Sequence, residues 1–252
     1  MRQSVSKNPI IREQYDAILL DLDGVITDTA SVHAVCWKQM FDEYLQKRAT
    51  QRGEAFRPFD IATDYRLYVD GKPRYDGVRD FLTSRGIRLP QGRPDDPPEA
   101  ETVDGLGNRK NELVNKIIED KGVEPYEGSV ELIHQLRQQG FKIAVVTSSQ
   151  NCTAVLKAAK LDHFFDVQVD GNVIHAQHLA GKPAPDTYLM AAKLLGVEPA
   201  RAVVIEDALS GVEAGSNGNF GLVIGVARKG NAEELRHHGA NLVVNDLHEL
   251  AD

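Results

Sequence analysis

Four apolar residues, Ala17, Ile18, Leu19 and Leu20, run straight into Asp21, and Leu22, Asp23 and Gly24 follow. An apolar run this short, closed by a carboxylate and a glycine, reads as a strand buried on both faces. Strands of that kind belong to parallel sheets covered by helices, so the stretch predicts an α/β fold. Open parallel sheets place their ligand crevice at the carboxyl ends of the strands, where Asp21 and Asp23 fall. Residues two apart on a strand point the same way, here toward one pocket. Like charges that close repel unless a cation or a proton lies between them. An Asp-Gly pair is also an ordinary turn. The stretch alone leaves both a site and a plain turn open.

The rest of the chain decides between them. Beyond residue 125, strands are expected at 141–146, 165–169, 202–205, 222–226 and 242–244. Helices are expected at 130–139, 153–160, 185–195, 211–216, 233–238 and 247–250. This alternation implies a parallel sheet with helices on both faces. Residues 29–125 read differently, with helices at 31–47, 78–85 and 108–121, a charged loop at 48–57 and a proline-rich loop at 90–98. The sheet domain is therefore expected to be split, as residues 1–28 and 126–252, with residues 29–125 inserted after its first strand.

Composition excludes several function classes. A formal net charge of -8 argues against a nucleic-acid groove, which needs a basic face. No apolar run approaches the roughly 20 residues of a membrane helix, and residues 1–14 lack the apolar centre of a signal peptide. The two cysteines, Cys36 and Cys152, form no Cys-x-x-Cys pair, which suits reduced thiols in a cytoplasm.

Four polar clusters follow apolar runs or loops that a parallel sheet gathers along one edge: Asp21 with Asp23, Thr147-Ser148-Ser149 with Asn151, Lys182, and Glu206-Asp207. Each residue type has a task in phosphoryl transfer. A carboxylate can attack phosphorus, so Asp21 is the candidate nucleophile. A hard cation held by oxygen ligands from Asp21, Glu206 and Asp207 would offset its repulsion from phosphate, and such ligands favour Mg2+. Lys182 would add a point charge on the phosphate oxygens. Thr147, Ser148 and Asn151 lie where a helix N-terminus would bind them further. Asp23 lies close enough to act as acid and then base.

In this order the motifs resemble the haloacid dehalogenase superfamily, over essentially the whole chain. The stretch from Asp21 to Thr29, with His33 and Trp37 beyond, is similar to its subfamily IA, β-phosphoglucomutase-like branch, as are residues 181–186 and 205–212. The resemblance implies a Rossmann-like three-layer core with an inserted, mainly α-helical cap, an aspartyl-phosphate intermediate and Mg2+. It makes Asp21 nucleophile and ligand, and Asp23 acid/base with its main-chain carbonyl on the metal. Glu206 and Asp207 match the acidic metal pair. An acid two residues after the nucleophile marks phosphatases and mutases of this fold and is missing from its dehalogenases.

The resemblance leaves substrate choice to the cap. His33 matches a position that couples cap closure to catalysis in the mutases, and a surface histidine is the alternative. Residues 105–110 are read as a cap loop, with Arg109 and, more weakly, Lys110 and Asn108 meeting sugar hydroxyls or a distal phosphate. Tyr65, Tyr68 and Tyr75 either line a sugar pocket or form the cap's own core. Residues 64–77 and the loop through Pro98 enlarge the cap beyond the mutase pattern, toward sugar phosphatase-like members, including a type similar to domains fused to trehalose-metabolising enzymes. The expected activity is therefore Mg2+-dependent hydrolysis of a small phosphorylated metabolite, a sugar phosphate, in the cytoplasm. The protein is expected to act as a monomer or weak homodimer, without nucleic acid or membrane. A β-phosphoglucomutase and a non-catalytic binding module of the same fold are the alternatives.

Overall fold

The computed structural model describes residues 8–251. Residues 1–7, the start of the segment searched for a signal peptide, and residue 252 lie outside the described residues. In chain order the elements are β1 (Ala17–Leu20), α1 (Ala30–Arg52), a π-helical segment (Ile61–Val69), α2 (Arg74–Ser84), α3 (Val103–Lys121) and α4 (Glu127–Gln138). There follow β2 (Lys142–Val146), α5 (Cys152–Ala158), β3 (Val167–Val169), α6 (Gly171–Ala176), α7 (Asp186–Leu195) and β4 (Ala202–Glu206). The chain closes with α8 (Leu209–Asn217), β5 (Leu222–Val226), α9 (Ala232–His237) and β6 (Leu242–Val244). It divides into two compact units, one holding the chain up to Asp28 and again from Val123, the other Thr29–Gly122.

The first unit is an α/β, Rossmann-like core. Its six strands lie in the order β3-β2-β1-β4-β5-β6, every neighbour parallel. Ala17, Leu19, Ala144, Val146 and Val204 pack in one cluster with Tyr188, Ala191 and Ala192 of α7. On the opposite face Ile18, Leu20, Ile143, Val145, Val203 and Ile205 are also fully buried. Burial on both faces is why these strands read as unbroken apolar runs. Leu20 pairs with Val145 on one side and Ile205 on the other. That register brings Asp21 and Glu206 to one level of the sheet's carboxyl edge, with Thr147 one residue beyond it.

The second unit is helical, around an aromatic centre. Phe41 stacks between Trp37 and Phe59, with ring centroids 5.3 and 5.2 Å away. Phe81 closes on Phe41 at 4.2 Å. Tyr65 and Trp37 are buried here, and Tyr68 and Tyr75 pack against the same cluster. The three tyrosines therefore contribute to the unit's core.

Two sequence expectations are corrected. The charged loop at 48–57 is helical as far as Arg52, because Lys47, Arg48, Ala49 and Gln51 are strong helix formers. Gly53, in the left-handed region at φ 65°, ends α1 by donating its N–H to the Ala49 carbonyl. Residues 105–110 are no loop but lie within α3, whose start Thr102 caps by accepting from the Gly105 N–H at 2.9 Å. Gly107 is not a breaker here: a Cβ on it would lie 2.7 Å from the Tyr75 ring, so α3 needs a bare backbone at that contact. The short helix α6 was not expected from the sequence. Asp170 caps it by accepting from Asn172 and Val173.

Candidate active site

The centre of the site is a buried ammonium group. Lys182, on the loop before α7, donates to Asp21 Oδ1 at 2.6 Å, Glu206 Oε1 at 2.6 Å and the Val146 carbonyl at 3.2 Å. It thus ties together the ends of β1, β2 and β4. Neither Lys182 nor Glu206 exposes any side-chain surface. Glu206 is held further by the Tyr188 hydroxyl at 3.2 Å and the Ala208 N–H at 2.8 Å. Both Glu206 oxygens thus accept hydrogen bonds, as an interior carboxylate requires.

Asp23 sits on the turn after β1, and its Oδ2 accepts from the Thr147 hydroxyl at 3.3 Å. Thr147 Oγ1 in turn accepts from the Ser149 N–H at 3.1 Å, and Ser149 Oγ from the Asn151 N–H at 3.2 Å. The Thr-Ser-Ser cluster thus builds a turn that leads into α5. Gly24 has φ 92°, and a Cβ there would lie 2.2 Å from Asp207 Oδ2, so only glycine lets the β1 and β4 turns meet.

Burial pushes Asp21 well above the usual carboxylate range. Glu206, Asp23 and Asp207 push the same way and Lys182 pulls against them. Burial pulls Lys182 down, but Asp21 and Glu206 outweigh it and hold the ammonium well above its usual range. Burial is the main cause, and the surplus of neighbouring negative charge adds to it.

That surplus bears on metal binding. Asp21, Glu206 and Asp207, all buried, offer oxygens within 4.8 Å of one another. With Asp23 they make four carboxylates, against the ammonium groups of Lys182 and of Lys229, which reaches Asp207 Oδ2 at 3.0 Å. Two formal negative charges are left over. An oxygen-only donor set with that excess fits a hard divalent cation such as Mg2+.

The structure brings Asp21, Lys182 and Glu206 into direct contact, with Asp23 and Asp207 on the adjoining turns. In the helical unit, Lys110 is buried and its Nζ lies 2.6 Å from His33 Nδ1 and 4.9 Å from the Trp37 ring centroid. Arg109, one residue earlier, is held elsewhere, donating to the Pro98 carbonyl at 2.8 Å with Glu43 at 4.0 Å. Sequence reasoning missed Tyr188, Arg228 and Lys229. The last two form a pair of adjacent cations just past a buried parallel strand, a signal of the same kind as the acids after β1.

This fold, with its acidic strand ends around a buried lysine, defines a class, and the comparison with known proteins agrees. Residues 15–219 match the haloacid dehalogenase-like hydrolases, and the chain belongs to that family of phosphatases and phosphomutases. It is an enzyme of that family. It is 54% identical over 241 residues to the β-phosphoglucomutase of Mycobacterium tuberculosis (strain CDC 1551 / Oshkosh), covering 94% of this chain and 92% of that one. It is 31% identical over 207 residues to a fructose-1-phosphate phosphatase of Escherichia coli, covering 80% of this chain and 92% of that one. Among solved structures, a β-phosphoglucomutase from Clostridium difficile is 26% identical with TM-score 0.71, covering 94% of this chain and 93% of that one. Among the described residues no helix is long and apolar enough to cross a membrane.

Proposed function

We propose that the chain is a sugar phosphomutase that interconverts β-glucose 1-phosphate and glucose 6-phosphate through an aspartyl-phosphate on Asp21. The chemistry rests on the buried Asp21–Lys182–Glu206 cluster. Mutase over hydrolase rests on one observation, the 54% identity to a β-phosphoglucomutase along nearly the whole of both chains. Sequence alone put hydrolysis first, and the identity to this relative is what favours the mutase reading here.

An Asp21 oxygen attacks phosphorus, and the bond to the sugar oxygen breaks while Asp23 gives that oxygen its proton. The free hydroxyl of a sugar monophosphate then attacks the aspartyl-phosphate, Asp23 takes its proton, and the bond from phosphorus to Asp21 breaks to restore the carboxylate and leave a sugar bisphosphate. Lys182 holds Asp21 and neutralises charge on the transferred group. Thr147, Ser148 and Asn151 take further phosphate oxygens. Asp21, Asp207, Glu206 and the Asp23 main-chain carbonyl would hold Mg2+, which when bound offsets the repulsion between phosphate and Asp21. Residues 29–122 act as the cap that selects the substrate, with His33, Lys110 and Arg109 as its candidate contacts. On this reading the protein works in the cytoplasm as a monomer or weak homodimer, on a small sugar phosphate and not on nucleic acid or membrane.

Incubation with β-glucose 1-phosphate, Mg2+ and a trace of glucose bisphosphate tests this. Glucose 6-phosphate should form well ahead of free phosphate. Stoichiometric phosphate release without glucose 6-phosphate would instead establish the hydrolase reading, which the Escherichia coli relative favours.

A further inference from the structure

The turn that carries Asp23 is gripped from outside by one guanidinium group. Arg228 follows β5, and its Nε donates to the Gly24 carbonyl at 3.2 Å. Its Nη2 donates to Ser129 Oγ at 3.3 Å, and its Nη1 pairs with Asp246. Its Cζ lies 3.7 Å from the centroid of the Tyr126 ring. Ser129, fully buried, donates to the Val25 carbonyl at 2.6 Å, and the Tyr126 N–H donates to the Ile26 carbonyl at 3.0 Å. Three successive carbonyls, of Gly24, Val25 and Ile26, are thus anchored by a cluster organised around Arg228.

We infer that Arg228 is a positioning residue for Asp23, holding the turn so that the Asp23 carboxyl stays in line for proton transfer. The inference rests on the acid/base role proposed above. Upstream, β1 is fixed in the middle of the sheet. Downstream, residues 25–27 are fixed by Ser129, by Tyr126 and by the turn's own bonds from the Ile26 and Thr27 N–H groups to the Leu22 carbonyl. Between them lies Gly24, at φ 92°, with its N–H tied to the Thr27 carbonyl at 2.8 Å and its own carbonyl left to Arg228. Rotation there swings Asp23, and Arg228 is the side chain that fixes the Gly24 carbonyl. A lysine cannot replace it, because one ammonium cannot sit over Tyr126 and present a fork to three acceptors.

The test compares wild type with Arg228→Lys and Arg228→Ala, each as the full chain with Mg2+, on two substrates. One is β-glucose 1-phosphate, whose leaving oxygen needs a proton. The other is p-nitrophenyl phosphate, whose phenolate leaves without one. Arg228→Lys should lower kcat on the sugar phosphate about 10- to 100-fold, the scale of a small misplacement of a reacting group. KM should move less than about threefold, and single-turnover release of p-nitrophenolate, which precedes the step in which Asp23 acts as base, should change little. Equal losses on both substrates, or none, would overturn the assignment. Asp23→Asn is the reference. If it shows no such asymmetry, the acid role of Asp23 fails on its own. Hydrogen exchange in the peptide 22–28 then decides for Arg228: several-fold faster exchange in Arg228→Lys supports the anchor, and unchanged exchange refutes it. Arg228→Ala repeats the comparison and, should it not fold, Arg228→Lys carries the result.

Discussion

In the sheet unit the charges of the site are inside. Lys182, Asp21 and Glu206 are buried and bonded to one another, and Asp207 is buried beside them. The helical unit is built the other way round. Its centre is Phe41, Phe59 and Phe81, and ion pairs such as Lys47 with Glu101 lie at its surface, with side chains 56% and 46% exposed. Buried ion pairs are poor stabilisers, because desolvation consumes most of the attraction, whereas packed aromatic rings stabilise directly. A chain that keeps four buried or half-buried carboxylates at one sheet edge therefore gains chemistry there rather than stability. Lys110, buried in the helical unit as Asp104 is, joins the two patterns, an ammonium over a tryptophan ring beside His33.

The contrast is broken most sharply at Asp21. Asp21→Asn should lower turnover by roughly four orders of magnitude or more. Folding should hold, since the change removes one of the crowded negative charges. Retained turnover would remove Asp21 from the mechanism. Lys182→Met separates the two kinds of interior further. It leaves Asp21 and Glu206 buried without their cation and should cost about 3–5 kcal/mol in chemical denaturation. Phe81→Ala in the aromatic centre should cost a similar ~3–5 kcal/mol through the cavity it leaves. Equal stability losses with unequal effects on phosphoenzyme formation, severe for Lys182 and mild for Phe81, would uphold the comparison. If Lys182→Met were neutral for stability, the buried carboxylates would not depend on their cation.

A smaller effect concerns the divalent cation. Saturating Mg2+, at about a hundred times its dissociation constant, should stabilise the fold by about 2.7 kcal/mol, read as a thermal shift reversed by a chelator. Asp207→Asn should remove most of that shift. Phe81→Ala should keep it, because the aromatic centre lies in the other unit.

The two units also differ in how far they can be read from sequence. In the sheet unit an apolar run steps abruptly to a carboxylate, a threonine or a lysine, and each step falls at a strand end or site loop. In the helical unit the informative contacts are between faces of helices. Gly105 and Gly107 read as breakers, but they sit in α3 because Ala100 and Tyr75 press against their backbone. The π-helical turn of Ile61–Val69 widens the helix by a residue per turn and hides its apolar period. Lys110 matters because it meets His33 seventy-seven positions away, which no local pattern reveals. Arg228 was missed within the legible unit for the same reason, since its partners Gly24, Tyr126, Ser129 and Asp246 are scattered along the chain.

The smallest predicted effect isolates stability from chemistry inside the sheet unit. Asp166 lies at the opposite end of β2 from the site, where it accepts from the Ile143 N–H at 2.8 Å and from Arg137 at 2.7 Å. Burial raises its pKa, but the Ile143 N–H and Arg137 outweigh it and hold the carboxyl below its usual range. A depressed carboxylate binds protons more weakly when folded than when unfolded. It therefore adds stability above the unfolded value of about 3.9, and that stability is lost as pH falls through the lower, folded value. Asp166→Asn should then be less stable than wild type by on the order of 1 kcal/mol near pH 7, discounted for the partial exposure of the pair. The gap should close as the pH falls below the ordinary carboxylate range, because protonated Asp166 offers little more than asparagine does. Turnover at neutral pH should not change. A pH-independent gap would mean that packing, not charge, makes the difference. A loss of turnover would mean that the two ends of β2 are coupled, and that the separation between ionic site and supporting scaffold is less clean than the distances suggest.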